Sequence, residues 1–406
     1  MPQLDDPNQR VGLPEPEAQE LDSLGRATGV EMEAVEDTST ADVRPPVPAA
    51  HIHDPFDPDR IDVVTRTPTV DLLLSRIRHG RIDLQPEFQR HRGIWNLRAK
   101  SRLIESLLLR IPLPTLYAAE SEGEGWAIVD GIQRLTAIAE FIEPMGVGAK
   151  PLILRDLEYL KRYEGACFTD LPGRLQTRLR EAELVLHLIR LGTPEPVKFN
   201  IFARINTGGT PLSAQELRHA LIGGPARKYL REWAESKEFR SATCGSIRSE
   251  RMADREMVLR FVAFHRIGPE HYASDDFDEF LRKAMRQLNE LYVGEAKRLG
   301  QELSRSLKAA HDIFGSYAFR KRSIDDPDRR NPVNKALFET VTVNLAALAD
   351  NELRRVVARK DLIEESFFDL MKDYYFHSAI SAGTGQIARV RYRFKKIHEM
   401  FRRVSL

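Results

Sequence analysis

The chain has 406 residues, of which 42% are hydrophobic and 30% charged, and its formal net charge is +1 at pH 7. This length predicts two or three structural units, each large enough for its own core. No segment approaches the roughly 18 uninterrupted apolar residues of a membrane-spanning helix, and the N-terminus does not read as a secretion signal. The only cysteines, Cys167 and Cys244, provide neither a disulfide framework nor a thiolate metal site. We therefore predict a cytoplasmic protein.

The charge is unevenly distributed along the chain. Residues 1–50 carry 11 acidic and 3 basic side chains, seven prolines and no aromatic residue, whereas the remainder has an excess of basic residues. Such a segment buries too little apolar surface to offset the entropy of ordering it, so we predict a disordered acidic arm over residues 1–56. A basic body with an acidic arm suits a polyanion-binding protein, although a solvated surface with a disordered leader explains the charge more simply.

Residues 57–225 alternate between helical and strand patterns. Helical spacing of apolar residues, short aliphatic runs, and glycine or proline stops define the elements. In chain order we predict helix Thr69–Ile77, extended Ile82–Leu84, helix Lys100–Arg110, strands Thr115–Ala118 and Trp126–Val129, helix Leu135–Ile142, strand Glu183–Leu191, helix Pro196–Ile205, and a helix opening at the capping box Ser213–Glu216. Residues 226–406 are helical in pattern throughout. The predicted fold class is α+β, with a small mixed sheet followed by an all-helical domain.

The junction between the predicted strand Trp126–Val129 and the helix that follows it is a candidate anion-binding site. Asp130-Gly131-Ile132-Gln133-Arg134 follows a buried strand and opens the helix. The first helical amides lack partners and point at one place, and the helix dipole adds positive potential there. Gly131 permits close approach of a ligand, Arg134 offers a planar fork for phosphate oxygens, and Asp130 suits a hydrated metal ion, a ribose hydroxyl or a partner arginine. The alternative is an Asp130 helix cap and a surface ion pair at Arg134.

Two polar loops favour the anion site over that alternative. Residues 87–95 are arginine-rich and can bring Gln89 and Arg90 to the junction, while residues 206–210 form a glycine loop, with Asn206 and Gly208, before a helix N-terminus. Each loop alone is equally well explained as a solvated loop or an ordinary turn. Three polar junctions in one domain together predict a shared site for a negatively charged ligand.

These motifs, in this order, resemble one family. Gln-Pro-Glu-Phe-Gln-Arg at 85–90, Ile-Pro-Leu-Pro at 111–114, Asp-Gly-Ile-Gln-Arg at 130–134 and Phe-Ala-Arg-Ile-Asn-Thr-Gly-Gly-Thr-Pro-Leu-Ser at 202–213 are similar to the N-terminal domain of GmrSD-type, modification-dependent restriction systems. The resemblance covers roughly residues 60–225 and continues more weakly to Asn331-Pro-Val-Asn-Lys. It implies a ParB/sulfiredoxin-like fold, binding of an NTP with Mg²⁺, and in some members NTP hydrolysis coupled to restriction of phage DNA.

The resemblance also implies roles for individual residues. Gln89, Arg90, Gly131, Asn206 and Gly208 carry over as nucleotide- or phosphate-binding residues. If hydrolysis occurs, Arg134 stabilises phosphate charge, Gln133 positions water, and Asp130 orients Mg²⁺ or a base. Ile132 stands where the family has glutamine, which puts hydrolysis in more doubt than binding. The competing hypothesis is a non-catalytic, ParB-like DNA-binding or adaptor protein.

The C-terminal half shows no counterpart of the HNH nuclease that many relatives carry. Its histidines are isolated, and the acidic pairs Asp275-Asp276 and Asp325-Asp326 are more typical of solvated loops than of a metal site. We expect no nuclease activity and no structural metal; a separate nuclease subunit is an implied partner. The basic C-terminal segment contains Arg391, Arg393, Lys395 and Lys396 among apolar residues. This pattern suits contact with DNA phosphates, although a docked amphipathic helix with solvated charges explains it as well.

Overall fold

The computed structural model describes residues 18–21, 26–33, 61–84, 95–121, 125–205, 212–249, 251–323, 326 and 328–405. Within them the protein is α+β, with its sheets in the N-terminal half and helices thereafter, as predicted. None of the helices in these ranges has the length and apolar character needed to cross a membrane.

A five-stranded mixed sheet organises the N-terminal half. Two further strands precede it in the chain, so its strands are β3 to β7: β3 Val63–Arg66, β4 Ile82–Asp83, β5 Leu116–Ser121, β6 Gly125–Asp130 and β7 Leu186–Ile189. Their spatial order is β3-β7-β5-β6-β4. The β5–β6 hairpin is antiparallel, whereas β4 runs parallel to β6 and β7 parallel to β5. The predicted strands are therefore confirmed, and the sheet is mixed.

Six helices accompany the sheet: α1 Val70–Arg78, α2 Leu97–Leu108, α3 Ile132–Ile142, α4 Gly173–Glu181, α5 Glu195–Ile205 and α6 Ala214–Leu221. Local side chains fix where they begin. Asn96 accepts a hydrogen bond from the Ala99 amide at 2.8 Å, so α2 starts three residues before its predicted position. Ser213 and Glu216 form the predicted capping box, with hydrogen bonds of 3.1 and 2.6 Å.

In the described part of the C-terminal half there are ten α-helices: α7 Ala226–Ala234, α8 Lys237–Thr243, α9 Ala253–Arg266, α10 Phe277–Asn289, α11 Val293–Phe314, α12 Lys335–Ala347, α13 Asp350–Ala358, α14 Lys360–Lys372, α15 Tyr374–Ser381 and α16 Ile387–Ser405. Helices α9 and α12 are buried along most of their lengths and pack against each other. Their carboxylates are neutralised internally, since Glu339 of α12 receives hydrogen bonds from Arg260 of α9 and Arg393 of α16.

The predicted disorder of the acidic arm is wrong for residues 18–21 and 26–33. Strands β1 (Gln19–Leu21) and β2 (Ala27–Glu31) pair antiparallel. The Glu31 amide donates to the Val333 carbonyl at 2.9 Å, and the Glu31 carboxylate lies 2.6 Å from the Lys321 ammonium. Glu20 pairs with Lys335 at 2.5 Å. Ion pairs and a backbone hydrogen bond to the helical half thus hold this segment in place, contacts that its own composition does not reveal. The rest of residues 1–56 falls outside the described ranges.

Candidate phosphate-binding site

The turn from β6 into α3 leaves the first amides of the helix uncapped. Gly131 occupies the position before the helix with φ 93° and ψ 8°, and among the described residues no side chain caps the first turn. The first intrahelical bond at this end runs from the Leu135 amide to the Gly131 carbonyl at 3.0 Å. The amides of Ile132, Gln133 and Arg134 therefore have no acceptor within the helix, and they lie at the positive end of its dipole.

Only glycine fits at residue 131. Its φ lies in the left-handed region, which disfavours other residues. A Cβ atom there would also lie 2.1 Å from Cδ2 of Leu116 and 3.2 Å from a terminal guanidinium nitrogen of Arg134. The close approach of the β6–α3 turn to β5 thus depends on the missing side chain, whereas the predicted close approach of a ligand to Gly131 stays a prediction.

The Arg134 side chain links the β6–α3 turn to the residues just before β5. One terminal nitrogen donates to the Pro114 carbonyl, and the other donates to the Thr115 carbonyl at 3.3 Å and to Asp130 Oδ2 at 2.7 Å. Burial lowers the pKa of Arg134 below its ordinary value, and Asp130 counteracts part of that effect. Of the three partners predicted for Asp130, namely a metal ion, a ribose hydroxyl and an arginine, the structure shows the arginine. Both terminal nitrogens of Arg134 are thus hydrogen-bonded within the protein.

Gln133 lies in the first turn of α3. Its Nε2 atom is buried and has no hydrogen-bond partner within the described ranges, so it is an unsatisfied donor. Asp130, by contrast, keeps 44% of its side chain exposed although it pairs with Arg134. Ile132 is 4% exposed and packs in the core, so that position presents no side chain to a ligand.

Strand β4 and helix α6 both contact β6. Ile82 pairs with Trp126 and Asp83 with Ala127 in parallel register, so the C-terminal ends of β4 and β6 lie on one side. Helix α6 packs directly against β6. The polar segments predicted to contribute to the site adjoin these two elements in the chain: residues 85–94 follow β4, and residues 206–211 precede α6.

A polar row that the sequence analysis missed crosses the sheet at this end. Thr65 lies opposite His187, His187 opposite Tyr117, and Tyr117 opposite Asp130. The Tyr117 and His187 rings are 5.2 Å apart between centroids, and Thr65 Oγ1 lies 2.9 Å from His187 Nδ1. His187 interrupts an aliphatic run in β7, which was the available signal; its neighbours follow only from the pairing register.

Comparison with known proteins identifies the region that contains this junction. Residues 70–223 match the family model described as GmrSD restriction endonuclease, N-terminal domain. This region is a GmrSD N-terminal domain. The match indicates a component of a restriction system. No curated protein and no solved structure matched the chain.

The GmrSD N-terminal domain includes every residue predicted for the phosphate site. The structure brings Asp130, Gly131, Gln133 and Arg134 together at one turn. Gln89, Arg90, Asn206 and Gly208 lie outside the described residues, so their convergence on that turn stays a prediction. In the described part of the chain, no group of three or more His, Cys, Asp or Glu side chains is placed to hold a metal ion.

Beyond the GmrSD N-terminal domain, the basic C-terminal segment forms α16. The predicted DNA contact by Arg393 is wrong, because this side chain is fully buried and pairs with Glu339. Arg391 is exposed, and Lys395 is 73% exposed with a long 3.9 Å contact to Glu399. Lys396 is 30% exposed and pairs with Asp373 at 3.2 Å. The helix docks its apolar face and leaves Arg391 and Lys395 toward solvent.

Proposed function

We propose that the GmrSD N-terminal domain of this protein binds the phosphates of a nucleotide at the β6–α3 turn, as the nucleotide-binding part of a restriction system. The observation that carries the proposal is the first turn of α3, which no described side chain caps and which contains Gln133, whose buried Nε2 has no partner among the described residues. Backbone amides at a helix N-terminus, approached through a glycine, form a site that favours phosphate. The Arg134 hydrogen bonds hold that turn rigid before any ligand binds.

The turn also fits a magnesium-bound triphosphate. Asp130 retains an exposed carboxylate at the sheet end, and carboxylate oxygens are the protein ligands that Mg²⁺ prefers. Bound Mg²⁺ would neutralise phosphate charge. In this chain Gln133 then donates to a phosphate oxygen or orients a water, while the α3 amides hold the phosphate. Hydrolysis, where it occurs, depends on these groups, since Ile132 faces the core.

The first prediction concerns Gln133. Gln133→Ala should weaken binding of a magnesium-bound nucleoside triphosphate by about 10- to 150-fold, because a hydrogen bond to a charged group contributes about 1.5–3 kcal/mol. Isothermal titration calorimetry with ATP, GTP, CTP and UTP measures the effect. Gln301→Ala, at an exposed position of α11, is the matched control and should bind like wild type. Negligible heats for wild type with all four nucleotides would remove the proposal.

We further propose that the exposed basic residues of α16 contact DNA phosphates. Replacing Arg391 and Lys395 with glutamine should weaken duplex binding and reduce the slope of log affinity against log salt by about 2, since each phosphate contact contributes about 0.9. Fluorescence anisotropy over a salt series measures both quantities. Lys297→Gln with Lys308→Gln removes the same charge from exposed positions of α11. An equal effect of the two double variants would show that only overall charge matters.

Ile132 in the core favours a second candidate, a non-catalytic DNA-binding or adaptor protein. The two functions differ in turnover. Phosphate release from the bound triphosphate, measured with and without DNA, identifies the NTP-hydrolysing component; DNA binding that weakens steeply with salt, with no release, identifies the adaptor.

A further inference from the structure

The side chains of the polar row, which consists of Thr65, His187, Tyr117 and Asp130, are neighbours on one face of the sheet. In a β-sheet, residues that lie directly opposite one another on neighbouring strands are side-by-side on one face. The ring contact of Tyr117 with His187 and the hydrogen bond of His187 with Thr65 confirm that these three side chains share a face. Asp130 joins them at an irregularity in the β5–β6 register between Tyr117 and Ala118. Such bulges re-aim side chains next to binding sites.

The row is polar and accessible, unlike the residues next to it on β5 and β7. Tyr117 and His187 are only partly buried, whereas Leu116, Ala118 and Leu186 beside them are fully buried. Within the described ranges the Tyr117 hydroxyl has no hydrogen-bond partner, and its ring touches only the His187 imidazole among aromatic groups. Two aromatic rings tilted by 48° to each other at a sheet end, with a hydroxyl that no described residue bonds, form a surface suited to a flat aromatic ligand.

We infer that Tyr117 and His187 contact the nucleobase of the nucleotide whose phosphates lie at the β6–α3 turn. This inference rests on the proposed phosphate site, because it uses that site to place the ligand. At about 4.8 Å per strand, His187 lies about 10 Å across the sheet from Asp130, which leaves room for a sugar between phosphate and base. Thr65 fixes the orientation of the imidazole through Nδ1. Aromatic stacking tolerates any base, since every base has a π-face.

The test separates the base contact from the phosphate contact. Calorimetry compares each nucleoside triphosphate with inorganic tripolyphosphate, both with Mg²⁺, for wild type, Tyr117→Leu, Tyr117→Phe and His187→Asn. Tyr159→Leu, at a tyrosine that is 68% exposed and outside the row, is the control. We expect Tyr117→Leu to weaken nucleotide binding by about tenfold, Tyr117→Phe to retain most of it because the ring remains, and tripolyphosphate binding to be unchanged in every variant.

The outcomes distinguish failure of the base contact from failure of the phosphate site. An equal loss for nucleotide and tripolyphosphate would show that the row only supports the fold of the turn, and no loss for either would show that the base lies elsewhere; both overturn the inference while the phosphate site stands. If wild type binds neither ligand, the proposed function itself fails and the base contact with it.

Discussion

Glu339→Gln should destabilise the helical half by about 3–5 kcal/mol, the usual cost of breaking a buried ion pair from one side. Glu339 and Arg393 are both 0% exposed, and Glu339 Oε2 also accepts from Arg260 at 3.1 Å. A glutamine has one acceptor oxygen, so its NH₂ group would face the donors of one arginine. Since glutamine carries no charge, Arg393 would remain charged and buried without the counter-ion that Glu339 supplies, whereas Arg260 would keep Glu256 at 3.0 Å. The shift of the urea midpoint, followed by circular dichroism, measures the loss.

Glu399→Gln provides the control for removing a carboxylate from the same half. Its contact with Lys395 is exposed and 3.9 Å long, so the change should stay below about 0.5 kcal/mol. Arg393→Met combined with Glu339→Gln should cost less than the sum of the single losses, because both remove the same pair. Additive losses, or a Glu339→Gln effect as small as that of Glu399→Gln, would contradict a role for this pair in stability.

Gly131→Ala should lower the free energy of unfolding by about 2–5 kcal/mol and abolish nucleotide binding. Left-handed backbone costs a residue with a Cβ about 1–2 kcal/mol, and overpacking adds about 1–3 kcal/mol. The overpacking follows from the 2.1 Å separation between the added Cβ and Leu116 Cδ2. Relief of that contact requires the start of α3 to move away from β5, which displaces the amides of the proposed phosphate site. Thermal unfolding and calorimetry measure the two effects.

Gly148→Ala separates the cost of the left-handed backbone from the cost of overpacking. Gly148 has a φ of +63°, and a Cβ there meets nothing within 4 Å. This variant should therefore lose only the backbone contribution of about 1–2 kcal/mol and should bind nucleotide normally. If Gly131→Ala proved as mild as Gly148→Ala, the close packing of the turn against β5 would have no energetic consequence.

Local signals in the sequence located the turn itself. The aliphatic run of β6, the glycine and the helical spacing of α3 are contiguous, so a strand–turn–helix is readable without any long-range contact. The capping box at Ser213 is local for the same reason, and it was predicted correctly. Nucleotide binding at the turn stays a prediction, since geometry at a helix N-terminus permits a ligand without requiring one.

Features that depend on distant segments were not readable. The direction of Arg134 is set by the carbonyls of Pro114 and Thr115, which reach it only because β5 pairs with β6. The polar row depends on the register of β3 with β7, more than 100 residues apart in the chain. The β1–β2 hairpin was missed because composition predicts what a segment can bury by itself, whereas Glu31 is held by Lys321 and Val333 of the helical half.

Hydrogen–deuterium exchange tests the central claim most directly, because it reads the backbone amides proposed to hold the phosphate. Adding a magnesium-bound nucleoside triphosphate should slow exchange in the peptide that covers Ile132, Gln133 and Arg134, since these amides lack intrahelical acceptors in the free protein. The peptide covering the middle of α3 should change little. Unaltered exchange at the first turn of α3, at a nucleotide concentration that saturates binding, would place the ligand elsewhere and contradict the account.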